Sequence, residues 1–100
     1  MLSSISMAEF YQKQNKQPLK VVDVREKHEF NQGHIDQAIN LPLTHLAQAK
    51  KQLSKQETYY VICHSGGRSM LACQLLSGAG YQVVNVMGGM SAWPSQIVQD

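Results

Sequence analysis

The apolar residues of this chain recur in two alternating patterns, one typical of buried strands and one typical of amphipathic helices. Short runs rich in Val and Ile alternate with stretches in which apolar residues return at helical spacing. The predicted strands cover residues 2–5, 19–24, 39–41, 58–63 and 82–86. The predicted helices cover residues 7–15, 26–31, 44–53, 69–79 and 91–98. This alternation favours an α/β fold, with a mostly parallel sheet and helices on both faces.

Local capping and turn signals support several of these boundaries. Ser6 and Glu9 have capping-box spacing at the start of the first helix, and Thr44 is placed to cap the third. Gly88 and Gly89 are not followed by the Lys-Ser or Lys-Thr of a phosphate-binding loop. We therefore expect them to form a tight turn that carries Trp93 back onto the core.

Length, composition and charge then exclude several classes of protein. One hundred residues, 43% of them hydrophobic, predict a single globular domain over residues 1–100. The net charge is only +2, and the one basic cluster, Lys50 and Lys51 with Lys55 nearby, is typical of a solvated helix face. The sequence shows no signal-peptide pattern, and its longest near-apolar run, residues 59–63, is too short to span a bilayer. We expect a cytoplasmic protein with no nucleic-acid or membrane partner.

The candidate chemistry lies at the end of the second strong strand, in residues 63–68, which we call the cysteine loop. Cys63 ends a buried strand, and ligand sites in parallel sheets form at the carboxyl ends of strands. Residues 65–67, Ser-Gly-Gly, allow successive backbone amides to turn inward as an anion-binding nest, and a helix start follows. A thiol at that position is expected to have a depressed pKa and to act as a nucleophile without a neighbouring base. Arg68 adds a permanent cation for an anionic substrate.

The length of the cysteine loop limits the classes of reaction that the site could carry out. Four residues separate Cys63 from Arg68, whereas the similar loop of cysteine-dependent phosphatases encloses five. A tighter ring of amides suits a single sulfur atom bonded to Sγ better than a tetrahedral phosphate. The interval therefore favours a cysteine that carries sulfur.

Several segments, in order along nearly the whole chain, together resemble a single-domain rhodanese of the thiosulfate sulfurtransferase-like family. They are residues 22–26 (VDVRE), 29–30 (EF), 33–35 (GHI), 38–42 (AINLP), 63–69 (CHSGGRS) and 88–93 (GGMSAW). The resemblance implies a rhodanese-like fold with a central five-stranded, mostly parallel sheet. It also implies an enzyme that moves sulfane sulfur from a donor such as thiosulfate onto Cys63, and from there to a thiol or cyanide acceptor.

The predicted site follows from the loop and the resemblance together. Cys63 is the expected catalytic nucleophile, and the expected donor-binding residues are His64, Ser65, Gly66, Gly67, Arg68 and Ser69. We expect no cofactor and no metal, because the histidines and cysteines lack metal-ligand spacing. The expected partners are a small anionic sulfur donor and a thiol or cyanide acceptor, and a protein sulfur acceptor is compatible with the same chemistry.

Alternative interpretations stay open at this point. The chain is alternatively a non-catalytic rhodanese-type binding or regulatory module, or a cysteine-dependent phosphatase or arsenate reductase. His64 is either a general base or a loop residue that contributes its amide. Cys73, in the following helix, is expected to be a core thiol, so both cysteines should be free. Asp23 supports the loop or the fold, and Arg25 is predicted to pair with Glu29, four residues on.

Overall fold

The computed structural model describes residues 3–99. Its strands are β1 (Ser3–Ile5), β2 (Val21–Asp23), β3 (Ile39–Asn40), β4 (Thr58–Ile62) and β5 (Gln82–Val86). Its α-helices are α1 (Met7–Lys16), α2 (Lys27–Gln32), α3 (Leu46–Ala49) and α4 (Gly67–Gly78). Short 3-10 turns cover Leu43–His45, Lys50–Gln52 and Gly89–Ala92. Leu2, the first residue of the predicted edge strand, lies outside the described residues, as do Met1 and Asp100.

The five strands form one sheet in the order β1-β5-β4-β2-β3, and every neighbouring pair is parallel. The central strand is β4, whose Tyr60 and Val61 are in register with residues of both β2 and β5. Parallel pairing on both sides places the carboxyl end of β4 in the middle of one sheet edge. The predicted parallel α/β sheet is therefore confirmed.

Both faces of the sheet are covered, because successive residues of a strand point to opposite sides. Val61 of β4 belongs to one apolar cluster, with Leu46, Ala72 and Leu76 from α3 and α4. Ile62, the next residue, belongs to the other cluster, which contains Phe10 of α1. The predicted helix layers on both faces are confirmed. None of the helices in residues 3–99 is long and apolar enough to cross a membrane.

The first helix begins as its sequence predicts. The Glu9 amide donates to Ser6 Oγ over 3.1 Å, the bond expected of a helix cap, and α1 continues to Lys16, one residue beyond the prediction. The prediction for residues 44–53 is wrong in detail. Pro42 precedes a 3-10 turn, α3 is a single turn, and Thr44 donates its hydroxyl to the Glu26 carboxylate instead of capping a helix. A tertiary partner for Thr44 has displaced the local capping pattern.

The prediction of a final helix over residues 91–98 is also wrong. The 3-10 turn Gly89–Ala92 ends at Trp93, and Val98 exchanges two backbone hydrogen bonds with His34, of 2.9 and 3.0 Å. Pro94 has no amide proton and its fixed ring geometry restricts the residue before it, which has an extended backbone here. The chain after Trp93 is therefore not helical, and Val98 lies beside His34.

Candidate active site

Cys63 lies directly after the central strand, where a glycine turn holds its backbone. The Met90 amide donates to the Cys63 carbonyl over 2.7 Å, and the Ser91 amide donates to the His64 carbonyl over 2.9 Å. Gly89 makes this approach possible, since a Cβ there would lie 2.3 Å from the Cys63 carbonyl oxygen. Its φ of 58° also belongs to the left-handed region that favours glycine. The turn predicted at Gly88–Gly89 thus returns Trp93 to the core, and the residues after it hydrogen-bond the backbone of the cysteine loop.

The sulfur of Cys63 lies among hydrogen-bond donors. The Gly66 amide donates to Sγ over 3.0 Å, and the Ser69 Oγ lies 3.4 Å from Sγ. Gly66 has a φ of 110°, a left-handed conformation that turns its amide back toward Cys63, and α4 begins at the next residue, Gly67. This start is two residues earlier than predicted. Cys63 is only 1% exposed, so its thiol is buried beneath the cysteine loop.

These donors decide the acidity of the thiol. Burial raises the pKa of Cys63, but hydrogen bonds from the Ser69 side chain and from the amides of Ser69, Gly66 and Ser65 outweigh it, so the pKa lies below the ordinary value of 9.0. Cys73 behaves in the opposite way. Burial, reinforced by nearby Cys63, raises its pKa to about 12. Both cysteines are buried free thiols, and only Cys63 is placed to form a thiolate.

Arg68 makes a contact that the sequence analysis did not foresee. Its guanidinium donates to both carboxylate oxygens of Glu29 in α2, over 2.7 and 2.9 Å. The hydrogen bond from Arg68 lowers the pKa of Glu29 to about 2, even though burial opposes the change. The same ion pair raises the pKa of Arg68. The guanidinium thus ties the start of α4 to α2, and its expected contact with a donor stays a prediction.

The predicted ion pair between Arg25 and Glu29 is wrong. Arg25 donates through Nε and Nη2 to the Asp23 carboxylate, over distances of 2.8 to 3.1 Å, and Nη2 also donates to the Gly33 carbonyl. Both Asp23 and Arg25 are buried. Arg25 precedes α2, so helical spacing to Glu29 does not apply, and Asp23 offers a two-pronged acceptor nearby. This pair braces the same sheet edge and leaves Glu29 available to Arg68.

A cleft of about 430 Å³ opens beside the cysteine loop. Its walls are formed by Arg25, Glu29, Gln32, Gly33, His64, Met90 and Ile97. His64 is exposed and faces this cleft, whereas Ser65 and Gly67 are exposed on the loop itself. The position of Ile97 could not be predicted, because residues 91–98 were expected to be a helix. Its side chain packs over Gly33, where a Cβ would lie 2.3 Å from Ile97 Cδ1.

A buried polar residue near the thiol, Asn85, was not among the residues predicted from the sequence. Ser69, expected to bind substrate, is fully buried and faces the thiol, where its hydroxyl also contacts the Gly66 carbonyl at 3.1 Å and Asn85 Oδ1. Asn85 lies on β5 and is 2% exposed. The available signal was one amide in the otherwise apolar stretch of residues 83–86. Of the predicted residues, Ser65, Gly66 and Ser69 direct hydrogen-bond donors to the Cys63 sulfur. The side chain of His64 lines the cleft, and that of Arg68 pairs with Glu29.

Comparison with known proteins places this geometry in a family. Residues 6–96 match the family described as the rhodanese-like domain. The chain is 40% identical to YtwF of Bacillus subtilis over 78 residues, which cover 78% of this chain and 76% of the relative. It is 34% identical to the thiosulfate sulfurtransferase GlpE of Shewanella oneidensis, with 89% of each chain covered.

The solved structures give the same result for the fold. A rhodanese-like domain protein from Staphylococcus aureus superposes with a TM-score of 0.93 at 32% sequence identity, and 99% of each chain is covered. The match extends over the sheet and the cysteine loop together. This chain belongs to the rhodanese-like domain family.

Proposed function

We propose that this protein is a sulfurtransferase that moves sulfane sulfur from a donor such as thiosulfate to a thiophilic acceptor through a persulfide on Cys63. Membership of the family supports sulfur transfer in general. The observation that carries the proposal for this chain is the ring of donors around Cys63 Sγ. These donors stabilise a sulfur anion at the end of the central strand.

The chemistry balances without a cofactor or an external oxidant. The Cys63 thiolate attacks the outer sulfur of thiosulfate, forming a new S–S bond. The bond between the two sulfur atoms of thiosulfate breaks, and sulfite leaves with its electron pair. An acceptor thiolate or cyanide then attacks the outer sulfur of the persulfide, and Cys63 leaves as the thiolate. The amides that stabilise the thiolate are also placed to stabilise the partial negative charge of the persulfide.

Access to the sulfur supports a small donor. The thiol is almost fully buried, and the cleft beside it is lined by His64, which follows Cys63 directly. A donor that presents one projecting sulfur atom suits a buried nucleophile better than a bulky substrate does. The same cleft is open enough to take the end of a thiol-bearing protein segment as acceptor. We include both a small thiol and a protein thiol in the proposal.

We also propose that the protein is cytoplasmic, because its two free cysteines would stay reduced in that compartment.

Intact-mass spectrometry tests the proposal directly. We expect native protein treated with thiosulfate to gain the mass of one sulfur atom, and cyanide to remove it as thiocyanate. Cys63→Ser should gain nothing, whereas the matched control Cys73→Ser should gain the same single atom. An unmodified native protein, or an undiminished adduct in Cys63→Ser, would exclude a Cys63 persulfide. Turnover of p-nitrophenyl phosphate, in place of sulfur transfer, would instead identify a phosphatase.

A further inference from the structure

The hydroxyl of Ser69 has more acceptors around it than it has protons. Its Oγ lies within hydrogen-bonding distance of Cys63 Sγ, the Gly66 carbonyl and Asn85 Oδ1. A serine hydroxyl donates one hydrogen bond and accepts others. The Gly66 carbonyl can only accept. The direction in which Ser69 donates therefore depends on the protons of Cys63 and on the orientation of the Asn85 amide.

Two complete arrangements of this chain of groups are possible, one for each state of the sulfur. With a neutral thiol, the Cys63 S–H can donate to Ser69 Oγ and Ser69 can donate to Asn85 Oδ1, since these atoms lie within hydrogen-bonding distance of one another. With a thiolate, Ser69 must donate to Sγ, and its oxygen then needs a donor. The Asn85 carboxamide supplies one when it rotates by half a turn, because that rotation exchanges its oxygen for an N–H group.

We propose that Asn85 is a positioning residue, whose carboxamide sets the direction of the Ser69 hydroxyl and thereby stabilises the sulfur anion on Cys63. Asn85 does not touch the reacting atoms and acts through Ser69. Both residues are buried, so water is poorly placed to replace either hydrogen bond. On loss of its proton to water, the thiol becomes a thiolate, Ser69 turns its O–H toward Sγ, and Asn85 turns its N–H toward Ser69.

The inference deepens the proposed function, because it concerns the same sulfur, but it can be tested without any sulfur transfer. The ultraviolet absorbance of the thiolate, taken as native protein minus Cys63→Ser across a pH series, reports ionisation of Cys63 alone. The charged or titratable groups around the cysteine loop include Asp23, Arg25, Glu29, His64, Arg68 and Cys73. The variants below leave all of them in place, so a change in the midpoint reports the hydrogen bonds.

We expect Asn85→Val, which suits a strand, to move the ionisation midpoint of Cys63 upward. Without Asn85, the neutral state keeps an acceptor for Ser69 in the Gly66 carbonyl, whereas the thiolate state loses the only donor to Ser69 Oγ. That difference, about 1 kcal/mol for one hydrogen bond, reduces the thiolate fraction below the midpoint about five-fold. Asn85→Ala should act in the same direction and decides the question if the Val variant does not fold. Gln82→Leu, which removes an exposed amide from the same strand, is the matched control and should leave the midpoint unchanged.

A second series separates action through Ser69 from a general effect on the fold. Ser69→Ala should raise the midpoint by itself, and adding Asn85→Val to it should then change the midpoint no further. A purely structural role would lower the melting temperature of Asn85→Val without moving the midpoint. An unchanged midpoint in Asn85→Val would overturn the inference, and so would a midpoint that moves downward. An effect of Asn85→Val that is equal in the presence and absence of Ser69 would also overturn it. Failure of thiosulfate loading with the predicted midpoints intact would count against the proposed function alone.

Discussion

Arg68 donates two hydrogen bonds, of 2.7 and 2.9 Å, to the carboxylate of Glu29, which lines the cleft beside the cysteine loop. Arg68 belongs to the first turn of α4, and Glu29 to α2, so the pair connects the cysteine loop with the wall of the cleft. The arginine predicted to bind an anionic donor therefore already has an anionic partner within the protein. A donor that binds this guanidinium must therefore compete with Glu29.

For Arg68→Ala, we expect a loss in kcat/KM for thiosulfate of about ten-fold, because a charge-assisted hydrogen bond contributes about 1.5 kcal/mol or more. Reaction of the preloaded persulfide with cyanide should change much less. The matched variant Glu29→Gln keeps the arginine and frees it, so it should retain or improve thiosulfate use. Equal losses in both half-reactions, shared by both variants, would show that the pair only holds the loop in shape.

The Glu29 ion pair should also appear in the pH dependence of stability. The pKa of the Glu29 carboxyl falls from 4.5 to about 2 on folding. The contribution of the ion pair to the free energy of unfolding is therefore fully present above pH 4.5 and is lost as the pH falls toward 2. Because both side chains are partly exposed, we expect a contribution of at most about 1 kcal/mol. Urea unfolding of native protein and Glu29→Gln should differ at pH 7 and converge near pH 2. A gap that is constant with pH would exclude this origin.

Gly89→Ala should damage the site by pushing on its backbone. The added Cβ would lie 2.3 Å from the Cys63 carbonyl oxygen and 2.6 Å from the His64 carbonyl carbon, at a φ that disfavours alanine. We expect a loss of about 1–3 kcal/mol in the free energy of unfolding, together with slower loading of Cys63. Gly78→Ala is the control: its Cβ would meet nothing within 4 Å, so a helical position there should tolerate or gain from alanine. Equal effects of the two substitutions would contradict the close approach at Gly89.

The two cysteines should differ sharply in reactivity at neutral pH. A small alkylating agent should modify Cys63, whose pKa is lowered by its hydrogen bonds, and spare Cys73, whose pKa is about 12. Peptide mapping after partial alkylation measures this preference. Cys73→Ser should be alkylated at the native rate, and Cys63→Ser should be almost inert. Comparable labelling of both thiols would show that the loop does not activate Cys63.

Much of the fold could be predicted because it rests on local patterns. The strand over Gln82–Val86 matches its prediction, and α1 begins at the predicted cap. In two places where the predicted structure was wrong, a distant residue had replaced a local partner. Thr44 hydrogen-bonds Glu26 and caps no helix, and Val98 pairs with His34 at the end of a segment that was predicted to be helical.

The sequence by itself determined the parallel α/β class, the place of Cys63 at a strand end, and the four-residue spacing between Cys63 and Arg68, because these follow from the hydrophobic period and from spacing along the chain. Only the tertiary structure decided which charged residues form ion pairs: Arg25 pairs with Asp23, and Arg68 pairs with Glu29. It alone brought Asn85 of β5 beside the hydroxyl of Ser69. Partners that are far apart in the chain are chosen by packing and burial, which no local spacing encodes.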